Sequence, residues 1–249
     1  MNATPRDVYT NSVFAFVERC IAATPAEPRI LEVGCGKGDL SLRLKTAGYD
    51  ILGLDKSLAE IEDTTAKGVP AVHGDFLSYV DGPFDAVLFT MSLHHMEPLA
   101  EVLDHAGRLV KPGGLLLIED FDYQRVDQAT LHWYDGVKKM LVSAGLCGHD
   151  QDEDHPSPGS DVLEQWHQHH AHEHRLNTGR QMIEAISDRF HILESQPGSY
   201  FYRYFCYRMD PNQRATRVAE ILRDQENQLR AESLLLSTGL RIAARKPVS

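Results

Sequence analysis

Residues 29–39 read Arg29-Ile30-Leu31-Glu32-Val33-Gly34-Cys35-Gly36-Lys37-Gly38-Asp39. A short apolar run meets three alternating glycines. A segment with Leu40, Leu42 and Leu44 follows and stops at Gly48. The pattern predicts a strand, a tight loop and a helix over 39–47. Glycines there let the backbone turn sharply and let a ligand approach the main chain. The unpaired N–H groups that open the helix favour an electron-rich ligand group. Taken alone, the same spelling also describes a plain glycine turn.

The chain on either side repeats the alternation. Upstream, residues 7–23 predict an amphipathic helix with Val13, Phe16, Val17, Cys20 and Ile21 on one side, ended by Pro25 and Pro28. Downstream, strands are predicted at 49–55, 69–73, 84–89 and 115–118. Helices run between them, from an N-cap at Ser57 to Gly68 and from Pro98 to Val110, and Lys111-Pro112-Gly113-Gly114 forms a turn before the fifth strand. Continuous apolar strands separated by helices predict an α/β fold with a parallel sheet covered on both faces. The second half is different. Helices are expected at 125–144, 161–174, 178–189 and 212–236, with a polar loop at 147–160. An extended segment at 190–208 would put Tyr200, Tyr202 and Tyr204 on one face of a strand and Phe201 and Phe205 on the other. Leu240–Arg245 reads as a terminal strand that rejoins the sheet. Residues 1–249 are therefore read as one domain, with a helical cap at 1–27, a binding core at 28–121, a helical insertion at 122–189 and closing elements at 190–249.

Two acids sharpen the reading of the glycine loop. Asp55 ends the second strand, where a carboxylate can accept bonds from two ribose hydroxyls. Asp75 follows the third strand, where it can accept from an exocyclic amine, with Phe76 beside it to pack on a purine. All of these stand at C-terminal strand edges, where open α/β sheets bind ligands. A dinucleotide enzyme shares the strand–glycine–helix start and the ribose acid. Its G-x-G-x-x-G/A fingerprint ends here on Asp39 instead of a small residue, which disfavours NAD without removing it.

Composition narrows the partners. Lys and Arg number 25 against 36 Asp and Glu, a net charge of −11, which repels phosphate backbones and anionic lipid. Nucleic acid and membrane surfaces are thus poor partners. No apolar run approaches the roughly 18 residues of a membrane helix. Cys20, Cys35, Cys147 and Cys206 form no CxxC pair, so neither a zinc nor a disulfide framework is expected. A cytoplasmic protein is the expectation.

Taken in order, these motifs resemble the class I S-adenosylmethionine-dependent methyltransferases, small-molecule type. Glu32–Gly38 is similar to motif I of that family, Asp55 to the acid of motif II and Gly74-Asp75-Phe76 to motif III. Phe84–Phe89 resembles the fourth-strand motif. Ser92-Leu93-His94-His95-Met96 and Leu109–Leu115 resemble the loops that follow strand four and precede strand five. The likeness covers about residues 28–121. It implies a Rossmann-like seven-stranded sheet in the order 3-2-1-4-5-7-6, mostly parallel with strand seven antiparallel, and a helical lid inserted between strands five and six. It also implies S-adenosyl-L-methionine as cofactor. Glu32 would organise the methionine end, Gly34, Cys35 and Gly36 would line it, and Gly38 would shape the turn. Asp55, with Lys56 beside it, would hold the ribose, and Asp75 and Phe76 the adenine. Thr90 or Met91 would offer a carbonyl to the amino group. Tyr9 would cap the methionyl carboxylate, or else serve the core.

A sulfonium already activates the methyl group, so neither a metal nor a covalent enzyme intermediate is required. A base near neutral pKa helps when the acceptor is a hydroxyl or a protonated amine. His94 and His95, after strand four, are candidates for that base or for orienting the acceptor. Both could equally be loop histidines that close the pocket. Glu119, Asp120 and Tyr123 follow strand five and face either the acceptor or solvent. In Trp166-His167-Gln168-His169-His170-Ala171-His172-Glu173-His174, helical spacing aligns Leu163, His167, His170 and His174. That stripe reads as an acceptor-facing wall with His170 in it, as a metal site, or as a polar helix face; no metal is assigned. Arg203 and Arg208 could meet an anionic substrate or could be solvated. The function expected is methyl transfer to an N or O atom of a small molecule. An NAD-dependent oxidoreductase and a non-catalytic S-adenosylmethionine-binding protein are the alternatives. Neither the acceptor nor the oligomeric state is written in these residues.

Overall fold

The structure is a computed structural model that describes residues 3–22, 24, 27–148, 161–173 and 175–248. Most of the polar loop expected at 147–160, and His174 of the histidine stripe, lie outside the described residues.

The elements in chain order are α1 (Pro5–Ile21), β1 (Arg29–Val33), α2 (Asp39–Thr46), β2 (Asp50–Asp55), α3 (Leu58–Ala66), β3 (Ala71–His73), β4 (Phe84–Thr90), α4 (Leu99–Leu109) and β5 (Val110–Phe121). Then come α5 (Gln128–Ser143), α6 (Val162–Gln168), α7 (Gly179–Ser187), β6 (His191–Gly198), α8 (Tyr202–Arg208), α9 (Gln213–Ala231) and β7 (Gly239–Arg245). Short-range chemistry sets many of the ends. Pro5 opens α1, where its missing N–H costs nothing. Ser57 caps α3 by accepting from the Glu60 N–H, and Asp127 caps α5 by accepting from the Thr130 N–H. Thr178 and Gln181 close α7 with a reciprocal capping box.

The sheet order is β3-β2-β1-β4-β5-β7-β6, as the family resemblance implied. The pairs β1–β2, β1–β4, β2–β3 and β4–β5 are parallel. Strand β7 runs antiparallel to β5: Gly113 N–H donates to the Lys246 carbonyl, and Lys246 N–H to the Gly114 carbonyl. The Lys111–Gly114 turn does not precede strand five but lies inside it. Between the pairs Phe84↔Val110 and Ala86↔Leu115 the register jumps, so the extra residues bulge out of a strand that pairs on both sides of them.

The second correction concerns residues 200–207. Of the segment expected to be extended at 190–208, His191–Gly198 is strand β6, but Tyr202–Arg208 form helix α8, not a strand. Glu226, on α9, accepts from the N–H groups of Tyr200 (2.7 Å), Phe201 (3.0 Å) and Tyr202 (2.7 Å). A carboxylate brought from 26 residues away thus satisfies the orphan donors that open the helix. Burial then follows the helical period, with Phe201 and Phe205 fully buried and Tyr202 and Cys206 beside them. The alternation of Tyr and Phe carries no strand face.

The chain forms two compact units. The sheet unit comprises Thr10–Phe121, Asn177–Gln196 and Leu240–Ser249. Its core joins Leu31, Val87, Phe89 and Ile118 of the central strands with Leu103 of α4 and Met182 of α7. The helical unit comprises Met1–Tyr9, Asp122–Leu176 and Pro197–Gly239. It is packed through rings: Tyr134 stacks on Phe205 with centroids 5.1 Å apart, and Trp166 lies 5.5 Å from Phe201. No helix among the described residues is long and apolar enough to cross a membrane.

Candidate active site

Parallel register brings the ends of β1, β2, β3, β4 and β5 to one edge, with Val33 beside Leu54 and Phe89, Asp55 beside His73, and Thr90 beside Glu119. The glycine loop hangs from that edge. Gly34 and Cys35 N–H both donate to the Leu54 carbonyl, at 2.8 and 3.2 Å. Gly34 has φ +72°, and a Cβ on it would lie 2.5 Å from Ser92 Cβ. Only glycine lets the two loops approach this closely, and Ser92 Oγ fastens them by donating to the Val33 carbonyl at 2.7 Å. Gly38 (φ +70°) meets Thr64 in the same way, while Thr64 Oγ1 donates to the Gly36 carbonyl at 2.8 Å.

Gly36 is the open member of the loop, since a Cβ there would meet nothing nearer than Glu60 Oε2 at 4.0 Å. Its N–H donates to Asp55 Oδ2 at 2.9 Å, and Asp55 Oδ1 accepts from the Ser57 N–H at 2.8 Å. The acid of β2 is therefore fixed against the loop and keeps further lone pairs for a ligand. Among the described residues the buried Glu60 Oε2 has no hydrogen-bond partner. An orphaned carboxylate oxygen beside an open glycine is a vacant acceptor for a hydroxyl, and the sequence reading passed over it. A left-handed residue stands on the neighbouring strand as well. Met91, with φ +54°, directly follows β4, and its N–H donates to the Glu119 carbonyl at 2.7 Å. Such strain in a residue without a glycine's freedom is held where the surroundings impose it.

Glu32 lies beneath the loop, 2% exposed. Burial pushes its carboxyl up to about 7, although hydrogen bonds from Ser41 and Thr90 favour the ionised form. Burial likewise drives the Cys35 thiol well above its ordinary range. Lys56 is exposed at the edge, and its carbonyl accepts from His73 Nε2 at 3.1 Å. Asp75 is exposed, with Oδ1 accepting from the Leu77 N–H at 2.9 Å. The Phe76 ring is turned into the core, edge-on to Phe89 and His105 at 5.3 and 4.9 Å. It is 5% exposed, which does not suit the purine packing expected of it.

The candidate bases separate. His94 is buried, with Nδ1 2.6 Å from Asp120 Oδ1 but off the line of a hydrogen bond. Its N–H donates to Asp120 Oδ2 at 3.2 Å, and its carbonyl accepts from the Asn177 N–H at 2.8 Å. Its ring stands edge-on to Phe121 at 5.0 Å. His94 thus locks the loop after β4. His95 is exposed, with its ring centroid 4.1 Å from that of His94. Glu119 is 6% exposed and ion-paired with Arg241 of β7, so its carboxylate serves the sheet. Tyr9 and His170 belong to the helical unit. Tyr9 lies 6.2 Å from Tyr202 and 6.1 Å from Tyr207, ring to ring. His170 lies 3.8 Å from Trp166 and 5.8 Å from Tyr123, ring to ring, and its Nδ1 is 2.8 Å from the Trp166 carbonyl. With Nδ1 protonated by that contact, Nε2 is the basic nitrogen. The histidine stripe does not stay on one α-helix, because α6 ends at Gln168 and a π turn takes over His169–Glu173. Among the described residues no three His, Cys, Asp or Glu side chains gather as a metal ion needs.

Comparison with known proteins decides between the readings. The sequence profile of a methyltransferase domain family matches residues 7–175. The chain belongs to that family. S-adenosylmethionine is accordingly the cofactor, and the oxidoreductase alternative falls away. Among curated relatives, 27-O-demethylrifamycin SV methyltransferase of Amycolatopsis mediterranei is 33% identical over 107 residues, which are 39% of either chain. The 2-methyl-6-phytyl-1,4-hydroquinone methyltransferase of Synechocystis is 32% identical over 127 residues, 47% of this chain and 40% of that one. The chain thus spans about two fifths of the length of these relatives. Among solved structures, an S-adenosylmethionine-dependent methyltransferase from Mesorhizobium loti superposes with a TM-score of 0.57 over 95% of this chain and 100% of its own, at 17% identity. The [4+2]-cyclase SpnF also gives 0.57, over 96% of this chain and 81% of its own, at 18% identity. At these identities the likeness shows the fold. The chemistry of the residues present fits that cofactor: Asp55 fixed on the loop, the open Gly36 and the orphaned Glu60 oxygen offer acceptors and room at the strand edge.

Proposed function

We propose that this chain transfers the methyl group of S-adenosylmethionine to an N or O atom of a small-molecule acceptor. The observation that carries the reading is the Asp55–Gly36 hydrogen bond, which fixes a carboxylate on the open glycine loop beside Glu60 Oε2. Asp55 and Glu60 hold the ribose hydroxyls, Asp75 takes the exocyclic amine and the Thr90–Met91 backbone takes the amino group. When bound, the cofactor supplies an electrophilic methyl on sulfur. The protein's task is then to align a nucleophile, keep water out and take a proton.

His95 is the better candidate for that proton. It is exposed in the loop after β4, and His94 is buried and bonds Asp120 and Asn177. Glu119 acts at a distance, by holding Arg241 and the Met91 N–H. His170, in the chain between β5 and β6, is the second candidate to meet the acceptor. The printed names of the curated relatives, which concern a rifamycin and a hydroquinone, support a small organic acceptor, as does the net charge of −11. Cysteines spaced without a CxxC pair fit a cytoplasmic setting.

The test is turnover. The chain is incubated with S-adenosylmethionine and a panel of phenols, hydroquinones, sugars and amines, and S-adenosylhomocysteine release is followed. Asp55→Ala lowers release at limiting cofactor with any acceptor found, and His95→Ala lowers it while leaving cofactor affinity intact. Tight cofactor binding with no release across the panel overturns the catalytic reading and leaves a binding protein.

A further inference from the structure

We infer that Arg203 and the tyrosines around it form a recognition site for one anionic group, a carboxylate or phosphate, of the methyl acceptor; the acceptor assignment rests on the methyltransferase reading above. The site lies wholly within the helical unit. Arg203 projects from α8 into a set of rings. Its guanidinium carbon is 4.8 Å from the centroid of Tyr207, 5.4 Å from Tyr9 and 5.8 Å from Tyr200. A second guanidinium, Arg6, stands 5.1 Å from the same Tyr207 ring.

What is absent around this arginine points to a ligand. Several other arginines pair with acids: Arg19 with Glu194, Arg29 with Asp81, Arg189 with Asp104 and Arg241 with Glu119. Among the described residues neither Arg203 nor Arg6 has such a partner, in a chain with eleven more acids than Lys and Arg. Among the described residues the buried Arg203 Nε donates to nothing, and the one side-chain hydrogen bond of Arg203 is long, from Nη1 to the Tyr200 hydroxyl at 3.4 Å. Ring faces compensate part of a guanidinium's charge, but they cannot accept its in-plane N–H bonds. A planar fork with an unused buried donor is matched by two oxygens of a carboxylate or phosphate. The rings supply an apolar wall for whatever carries the anion.

The rival account makes Arg203 a pillar that only holds the rings apart. Both are tested on the full chain. The Nε–H resonance of Arg203, assigned by its loss in Arg203→Met, is followed by 15N NMR while benzoate, phenyl phosphate and neutral benzamide are titrated separately. Calorimetry with S-adenosylhomocysteine runs in parallel. Saturable movement with both anions and none with benzamide is expected. Arg203→Met should weaken anion binding by about tenfold or more, the scale of a lost charged hydrogen bond, and leave S-adenosylhomocysteine affinity within about twofold. Should that variant fail to fold, Arg203→Lys supplies the assignment, and the wild-type titration still decides. An unmoved resonance, or equal movement with benzamide, overturns the site. A tenfold loss of S-adenosylhomocysteine affinity in the variant overturns the acceptor assignment, because the guanidinium then holds the cofactor's own carboxylate. If wild-type protein ignores S-adenosylhomocysteine while the anions still move the resonance, the anion site stands and the methyltransferase reading fails.

Discussion

Asp55 has both carboxylate oxygens on backbone N–H groups, one on the glycine loop and one on the turn into α3. Its removal therefore loosens the glycine loop and, on the proposed reading, costs a ribose contact. Asp55→Ala should lower S-adenosylhomocysteine affinity by about 2–3 kcal/mol, the scale of charged hydrogen bonds. Equal affinities by calorimetry would remove the ribose role. Glu32 makes a prediction about pH. Its carboxyl titrates near 7 in the fold against an ordinary value of 4.5. Between those values the folded chain holds a proton that the unfolded chain releases, so stability falls as pH rises from about 4.5 through 7 and then levels. The span is on the order of 3 kcal/mol, and Glu32→Gln should flatten it in denaturant melts taken from pH 5 to 8. A wild-type curve without that slope contradicts the assignment. The sequence showed the glycines and both edge acids because those positions follow from strand ends. It could not show that His94 is buried on Asp120, since Asp120 and Asn177 arrive from other elements. Glu60 was hidden for a similar reason: its unbonded oxygen matters only once Gly36 is folded beside it.

At the scale of elements, β1 to β5 were legible because strands buried on both faces are written as unbroken apolar runs between turn residues. Helix α8 was not. Its tyrosines and phenylalanines favour strands locally, and the carboxylate that caps it comes from α9. Tertiary capping overrides the local preference. Glu226→Ala should thus cost at least about 3 kcal/mol in urea unfolding, by stranding three buried N–H groups, and Glu226→Gln should cost less because an acceptor remains. Equal small losses in both would mean that α8 stands without its cap. The contact between Gly34 and Ser92 is a second long-range lock. Gly34→Ala should destabilise the sheet unit by about 1–3 kcal/mol, and Ser92→Gly should recover part of that loss in a double-mutant cycle. Full additivity in that cycle would contradict the contact.

For the whole molecule, the seven strands carry a binding edge, while the helical unit is built from the part of the chain whose motifs were least readable. The difference has a physical cause. A cofactor's fixed shape demands glycines and acids at set strand ends, whereas an acceptor can be met by many combinations of rings and charges. The claim on which all the rest depends is that the edge at Gly34, Gly36 and Asp55 takes an adenosyl sulfonium or its product. Isothermal titration of the purified chain with S-adenosylhomocysteine measures that directly, with NADH as the control. The expected result is saturable one-to-one binding of S-adenosylhomocysteine, much weakened in Asp55→Ala, with no heat from NADH. Binding of NADH with no response to S-adenosylhomocysteine would contradict it.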